Sequence, residues 1–215
     1  MAGYMYLGNK KVCPAILVGS QPEPPEYDFL IKIPDNVTAI DVDEVYQSPV
    51  ISLYYCEFNA KILLDLNNVE EIINSGGFFN APFGYFVWGG AKCRIDIKAE
   101  NLRYAGKFGL SDMYDGGSPN DDPFFYNPVI TFPKLEEVGS YCFTSFVYGG
   151  LTDLYLPKLK TASINAFDGA LEYATGSITL HFASNQESLI SSLTGYPNFD
   201  SNYPVTILYD QPPTE

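Results

Sequence analysis

The chain has 215 residues and a mass of 23.9 kDa, the size of one domain or of one domain with a small extension. Twelve lysine and arginine residues stand against 26 aspartate and glutamate residues, which gives a formal net charge of −14. Nucleic acids and anionic membranes are bound through lysine and arginine, so this charge balance argues against both partners. Apolar residues make up 46% of the chain, which argues against a disordered acidic protein.

Targeting and redox motifs are missing from the sequence. No apolar run approaches the roughly 18 residues of a membrane-spanning helix, so we expect no membrane insertion. Residues 1–20 lack the apolar stretch and cleavage site of a secretory signal peptide, so the chain is expected to stay in its cell or leave by another route. Buried reduced thiols are expected, with a disulfide as the alternative, because no C-x-x-C pair occurs among Cys13, Cys56, Cys93 and Cys142.

Residues 1–28 are predicted to form an attachment segment followed by a proline-rich linker. A strand pair around a Gly-Asn turn is expected over residues 4–12, and the prolines at positions 22, 24 and 25 favour an extended chain. A piece of about twenty residues cannot bury a core of its own, so it must pack on its own body or on another chain. The residues assigned to attachment are Tyr4, Tyr6, Leu7, Val12 and Ile16.

Residues 29–184 carry a repeat. The segments 129–138 and 152–161 are alternating strands that end in Pro-Lys-Leu, and they match without a gap when Phe132 is aligned with Leu156. A third strand is predicted at residues 177–182, and looser copies occur earlier, at 30–37, 62–69 and 94–102. The positions predicted to be equivalent in successive units are Ile33, Leu66, Ile97, Phe132, Leu156 and Leu180. The number of residues from one position to the next is the repeat step. It is predicted to be uneven at first and constant only at the C-terminal end.

Each unit is expected to be a strand, a turn at Pro or Asn, and an irregular return with an aromatic residue such as Phe143 or Phe167 that fills the core. Stacked units of this kind predict a mainly β fold, a leucine-rich-repeat-like β solenoid with irregular repeats of 24–35 residues. An ordinary β-sandwich with similar hairpins is the alternative. Residues 185–215 are predicted as a small α/β C-terminal cap and tail, with a helix over 185–193 and a strand over 205–209.

The sequence contains few residues that could form a catalytic or metal site. His181 is the only histidine, and it lies in an alternating strand, where a core or sheet-face role is expected. No phosphate-binding or dinucleotide-binding glycine motif occurs. We therefore predict no catalytic residue, no metal and no cofactor. Carboxylates are numerous, so a polysaccharide-degrading enzyme that uses a pair of acids stays open as an alternative.

Aromatic side chains are dense in two of the longer returns, within segments rich in Gly, Asn and Pro. Such side chains either fill the core between repeats or, where they are exposed, bind another protein or stack on a sugar. On this basis the residues assigned to binding are Phe83, Tyr85, Phe86, Trp88, Phe124, Phe125 and Tyr126.

The repeat pattern, a strand followed by Pro-x-Leu-x-x-Val and a later aromatic residue, resembles the BspA-like leucine-rich repeat. The resemblance is tight over residues 129–182 and looser back to residue 29. It implies an adhesion or protein-binding module without catalytic residues. It also implies that six side chains face the interior of the repeats: Leu135, Val138, Phe143, Leu159, Ala162 and Phe167.

Residues 5–16 are similar to the opening of many tail-fibre and structural proteins of phages and prophages. This resemblance implies a non-enzymatic virion component of a tail fibre, baseplate or head fibre, which mediates host-surface adhesion or particle assembly. The implied partners are other virion proteins, through the N-terminal segment, and a host cell-surface protein or glycan; a homotrimer is implied as in many fibres. A virion protein needs no signal peptide because lysis releases it. A bacterial BspA-like protein-binding or adhesion module is the alternative.

Overall fold

The computed structural model describes residues 4–7, 10–14, 27, 29–41, 60–74, 93–111, 114–115, 129–148 and 153–214. Within these residues the chain is mainly β-strands in parallel sheets. The exception is an N-terminal strand pair, in which β1 (Tyr4–Leu7) runs antiparallel to β2 (Lys10–Pro14), as predicted from the sequence. Strands are numbered in chain order, and most of them belong to two rows.

The first row contains strands of three to seven residues, all of which were predicted from alternating apolar residues. They pair in parallel and in chain order, in one three-stranded sheet and one four-stranded sheet. The three-stranded sheet contains β3 (Phe29–Lys32), β5 (Ala60–Asp65) and β7 (Cys93–Lys98). The four-stranded sheet contains β10 (Val129–Thr131), β13 (Asp153–Leu156), β15 (Ile178–Ala183) and β16 (Val205–Gln211).

The second row contains short strands in the segments that the sequence predicted as irregular returns. They form one continuous five-stranded parallel sheet of β4 (Ala39–Asp41), β6 (Glu71–Asn74), β8 (Tyr104–Lys107), β11 (Glu137–Val138) and β14 (Thr161–Ala162). A further parallel pair joins β9 (Tyr114–Asp115) to β12 (Val147–Tyr148). The prediction of irregular returns was wrong here, because two to four residues carry too little alternation to indicate a strand.

Strand pairing corrects the repeat steps. The first steps are equal, because Phe29 pairs with Ile62 and Ile62 pairs in turn with Ile95. The later steps are shorter and lengthen slightly along the chain, as the paired residues Thr131, Tyr155, His181 and Leu208 show. The equivalent positions are therefore Ala99 and Phe182, rather than Ile97 and Leu180. Both errors are slips of two residues, which leave the pattern of inward and outward side chains unchanged.

Side chains from both rows pack into one core cluster. Five of the six positions that the leucine-repeat pattern placed inside are buried, and Ala162 is half-buried. A series of buried phenylalanines runs through the core, and its closest contact is between Phe143 and Phe167, whose ring centroids lie 4.5 Å apart. The series continues through neighbouring contacts to Phe132, Phe146, Phe182 and Phe199.

The C-terminal helix is shorter than predicted. Helix α1 spans Glu187–Ile190 instead of residues 185–193. After Ile190 the backbone bonds change spacing: the amides of Ser192 and Leu193 donate to carbonyls three residues back instead of four. The Ser192 hydroxyl also donates to the Leu189 carbonyl, at 2.7 Å. The predicted strand over 205–209 is present as β16, which continues the parallel sheet. No helix in the described ranges has the length and apolarity to cross a membrane.

Candidate functional site

The four-stranded sheet has one face toward the core and one face away from it. Successive strand residues point to opposite faces, so buried residues such as Leu154 and Leu180 define the inner face. On β16 the exposed positions alternate as Thr206, Leu208 and Asp210, so Asp210 lies on the opposite side. We call this side the outer sheet face; its residues are Val129, Thr131, Asp153, Tyr155, Thr179, His181, Thr206, Leu208 and Asp210.

A polar cluster centred on His181 lies in the middle of the outer sheet face. The His181 Nδ1 atom is 2.8 Å from Asp210 Oδ2, and Nε2 is 3.0 Å from Asp153 Oδ1. The imidazole is 8% exposed, whereas the Asp153 side chain is 21% exposed and that of Asp210 is 44% exposed. Both ring nitrogens therefore contact a carboxylate oxygen, and a ring nitrogen that carries a proton donates to it.

Strand register explains why these side chains meet. Tyr155 on β13 pairs directly with His181 on β15, so the two rings lie side by side at about the 4.8 Å spacing of adjacent strands. The rings stack with centroids 4.0 Å apart and planes 8° apart. Asp153 lies two residues before Tyr155 on the same face of β13, which places its carboxylate at the edge of the stacked rings. The cluster therefore follows from parallel pairing in register.

The more exposed carboxylate of the cluster is held in the charged form. The side-chain amide of Gln211 donates to Asp210 at 2.9 Å, and this bond, with the contact to His181, holds the pKa of Asp210 below its ordinary value against the opposing effect of burial. Charged carboxylates only accept hydrogen bonds. The carboxylates of the cluster can therefore accept hydrogen bonds from a ligand, donated by sugar hydroxyls or by the cationic side chains of a protein.

The sequence predictions and this cluster involve different residues. The aromatic residues assigned to binding all lie outside the described residues: Phe83, Tyr85, Phe86, Trp88, Phe124, Phe125 and Tyr126. Of the attachment residues, Tyr4, Tyr6, Leu7 and Val12 lie in the N-terminal strand pair, and Ile16 lies outside the described residues.

Sequence reasoning placed His181 on a strand but did not connect it with its partners. Asp153 and Asp210 are 28 and 29 residues away along the chain. The predicted repeat step aligned Tyr155 with Thr179, and a step longer by two residues would have placed Tyr155 beside His181. Asp210 follows Leu208 by two residues on β16, and the predicted strand over 205–209 ended one residue before it.

Cys142 has a buried, free thiol, which confirms the expectation of a reduced cysteine at this position. Burial raises the pKa of the thiol to about 12, although backbone contacts near residues 109, 110 and 139 act in the opposite direction. The side chains of Cys13, Cys56 and Cys93 lie outside the part of the chain that the structure describes. Among the described residues, no three or more His, Cys, Asp or Glu side chains are grouped to hold a metal ion.

Comparison with known proteins gives no relative: no family model, no curated protein and no solved structure matches this chain. The two family resemblances noted in the sequence therefore remain expectations. Functional proposals depend on the residues and contacts described above.

Proposed function

We propose that this chain is a non-enzymatic component of a virion, a tail fibre, baseplate or head-fibre protein that mediates host-surface adhesion or particle assembly. In this proposal the body is a leucine-rich-repeat-like β solenoid that presents a recognition surface. The observation that carries the proposal is the parallel, in-register pairing of successive units in two rows.

The parallel rows favour the solenoid over the β-sandwich. In a sandwich, antiparallel strands are joined by hairpins and Greek-key connections. Here, within each first-row sheet, every strand pairs in parallel with the next first-row strand in the chain. Up to β15, the connection between two such strands contains a short second-row strand that pairs with its own counterparts, whereas the connection from β15 to β16 contains helix α1. Repetition of one supersecondary unit along an axis accounts for both rows.

The outer sheet face supports adhesion as the role of the body. Its side chains are not used by the core, and they include the acidic and aromatic cluster of Asp153, Tyr155, His181 and Asp210. Fixed acceptors beside an aromatic ring suit a ligand that offers hydrogen-bond donors, such as a surface glycan or a basic protein segment. The ion contacts fix the geometry before a ligand arrives, which reduces the entropy cost of binding.

The N-terminal strand pair supports attachment to other virion proteins. An isolated two-stranded hairpin is marginally stable in water. Within the described residues β1 and β2 pair only with each other. Docking on another chain would supply the missing contacts, in line with the attachment role assigned to Tyr4, Tyr6, Leu7 and Val12.

Particle analysis tests this proposal. We expect mass spectrometry to detect the chain in virus particles purified from a culture of cells that carry its gene. A variant that lacks residues 1–20 should be absent from these particles. A matched variant, Tyr155→Ala, should incorporate normally and bind fewer host cells, because it alters only the outer sheet face. Normal incorporation of the truncated chain would contradict the attachment role. Absence of the full chain from particles, together with its presence on cells, would favour the bacterial BspA-like module.

The alternative of a polysaccharide-degrading fibre needs two carboxyl groups about 5 to 9.5 Å apart with a sugar and water between them. The outer sheet face brings Asp153 and Asp210 together, but the His181 ring lies between them and contacts both. This contact favours the binding role over the enzymatic alternative for this cluster.

A further inference from the structure

A groove of about 370 Å³ lies where first-row strands turn into second-row strands. Ligand pockets commonly span about 300 to 1,000 Å³, so the groove is large enough for a small ligand. Its lining is mostly charged and contains no aromatic side chain. The groove is formed by turn residues and shares no residue with the outer sheet face, so an inference about it is independent of the proposed function.

One side of the groove belongs to a row of alternating charges. Glu70, Arg103, Glu136 and Lys160 occupy the same position in successive units, and each backbone amide after the first bonds to the carbonyl of the previous member of the row. The Arg103 guanidinium lies 3.2 Å from Glu136, and the Lys160 ammonium lies 3.8 Å from the same carboxylate. The charge of Arg103 is therefore balanced within the row.

The other side of the groove has positive charges that are not balanced in this way. Lys134 donates to the Asn101 amide oxygen at 2.7 Å, and that oxygen carries no net charge. Lys158 is the equivalent residue in the next unit, because the pairing of Glu137 with Thr161 aligns the two segments. Among the described residues, neither ammonium has a carboxylate within ion-pair distance. Both lysines are exposed and line the groove.

Lys134 and Lys158 lie on adjacent units, so their ammonium groups form a locally positive surface that favours an anion. The two lysines occupy equivalent turn positions in adjacent units, and like charges at neighbouring positions repel each other. Three of the twelve basic residues in a chain with a net charge of −14 line this groove. An oxyanion between the two ammonium groups would relieve their repulsion and accept hydrogen bonds from both.

We infer that this groove binds an acidic sugar, with the carboxylate or phosphate group of the ligand between Lys134 and Lys158. Sugar hydroxyls then donate to the Glu70 carboxylate and exchange hydrogen bonds with the Asn101 amide. The polar lining selects a sugar over an acidic peptide, because protein-binding hot spots use apolar and aromatic anchors at their centre.

An NMR titration of the full chain tests this inference with three probes: digalacturonate, glucose 6-phosphate and the neutral disaccharide maltose. We expect saturable shifts at Asn101, Lys134 and Lys158 with an acidic sugar, none with maltose, and weaker binding as NaCl is added. The double variant Lys134→Gln with Lys158→Gln should bind at least about tenfold more weakly, because two charge-assisted hydrogen bonds are lost. Lys107→Gln, which removes one positive charge outside the groove, is the control for each single variant, Lys134→Gln or Lys158→Gln, and should bind normally.

The outcomes separate the two sources of the anion. Binding of digalacturonate alone identifies a carboxylate sugar, binding of glucose 6-phosphate alone identifies a phosphorylated sugar, and binding of both supports the shared oxyanion chemistry. The inference is overturned if neither acidic sugar binds, if maltose binds equally well, or if the double variant binds like the original chain while retaining its thermal midpoint. Tighter binding of a polyglutamate peptide than of either acidic sugar would also overturn it.

Discussion

The thiol of Cys142 is enclosed by the core, and burial raises its pKa to about 12. Only the thiolate reacts with alkylating reagents, and a free cysteine has a pKa of about 8.5. In a variant with Cys13→Ser, Cys56→Ser and Cys93→Ser, we predict that native Cys142 reacts with iodoacetamide at pH 8 about a thousandfold more slowly than free cysteine. Unfolding in urea should restore the ordinary rate. Rapid reaction of the native protein would contradict the burial of this thiol.

The two carboxylates beside His181 differ in exposure, so we expect them to contribute unequally to the free energy of unfolding of the protein. Asp153 is 21% exposed and Asp210 is 44% exposed, so water can replace more of the interaction at Asp210. We predict that Asp153→Ala lowers the free energy of unfolding by about 1.5 kcal/mol, because it leaves a buried ring nitrogen without its charged partner. Asp210→Ala should cost about 0.5 kcal/mol. Urea denaturation measures both values, and a larger loss for Asp210→Ala would show that the order is wrong.

Glycine has a specific role where second-row strands approach one another. A β-carbon on Gly106 would lie 2.0 Å from the Ile73 carbonyl oxygen, and one on Gly139 would lie 2.7 Å from the Gly106 carbonyl carbon. These contacts are with backbone atoms, which cannot rotate away as a flexible side chain would. Gly106 interrupts the alternating pattern inside β8, and Gly139 directly follows the two residues of β11, so neither short strand is apparent in the sequence.

Alanine substitutions test this close approach. We predict that Gly106→Ala and Gly139→Ala each lower the free energy of unfolding by about 3 kcal/mol, because the sheet must separate locally to admit a methyl group. Gly176→Ala is the matched control, since a β-carbon there meets nothing within 4 Å. It should be neutral within about 0.5 kcal/mol in urea denaturation. Equal effects at all three positions would rule out the backbone contacts as the cause.

First-row strands and second-row strands differed in how well the sequence predicted them. A strand such as β13, with Leu154 and Leu156 buried and their neighbours less so, has enough alternation to be recognised. The unit step was harder to obtain, because a slip of two residues at Ile97 or Leu180 preserves that alternation. Only pairing with a neighbouring strand distinguishes Ala99 from Ile97 as the equivalent residue.

The net charge of −14 affects the molecule as a whole. Self-repulsion among the acidic groups opposes the compact state, and dissolved salt screens it within a Debye length of about 8 Å at physiological ionic strength. The lysine and arginine side chains of the ion pairs on the described residues are exposed, as in the pair of Arg103 with Glu136, and exposed pairs contribute little to stability. Added salt should therefore stabilise the protein more by weakening the repulsion among acidic groups than it destabilises the protein by weakening the ion pairs.

We predict that the thermal midpoint rises as NaCl is added, measured by circular dichroism at constant pH. Sucrose, which carries no charge, provides a control for general solvent effects. Substitution of exposed acidic residues such as Glu71→Gln should reduce the salt dependence, because it removes part of the repulsion. A midpoint that falls with NaCl would mean that the ion-pair row between Arg103, Glu136 and Lys160 outweighs the net charge.

Two features connect the parts of the described molecule. The three-stranded and four-stranded first-row sheets are separate, but the second-row sheet is continuous and includes strands from both regions, as the pairing of β8 with β11 shows. The buried phenylalanines provide a second connection through the C-terminal units. Phe143, Phe167 and Phe199 follow one another in direct ring contact. Packing between neighbouring units therefore holds this part of the core, together with the contacts of Phe143 with Phe132 and Phe146 inside one unit.

Local patterns in the sequence determined the structure of each unit: the alternation of the first-row strands, the turn after them, and the interior placement of Phe143 and Phe167. These features depend on residues close together in the chain, so periodicity and turn chemistry are enough to predict them. Tertiary structure alone decided the register between units, the second row of strands and the contact of His181 with Asp153 and Asp210. Those contacts join residues from different units. Backbone pairing between strands decides which residues meet, and the pattern within one segment of the chain does not specify that pairing.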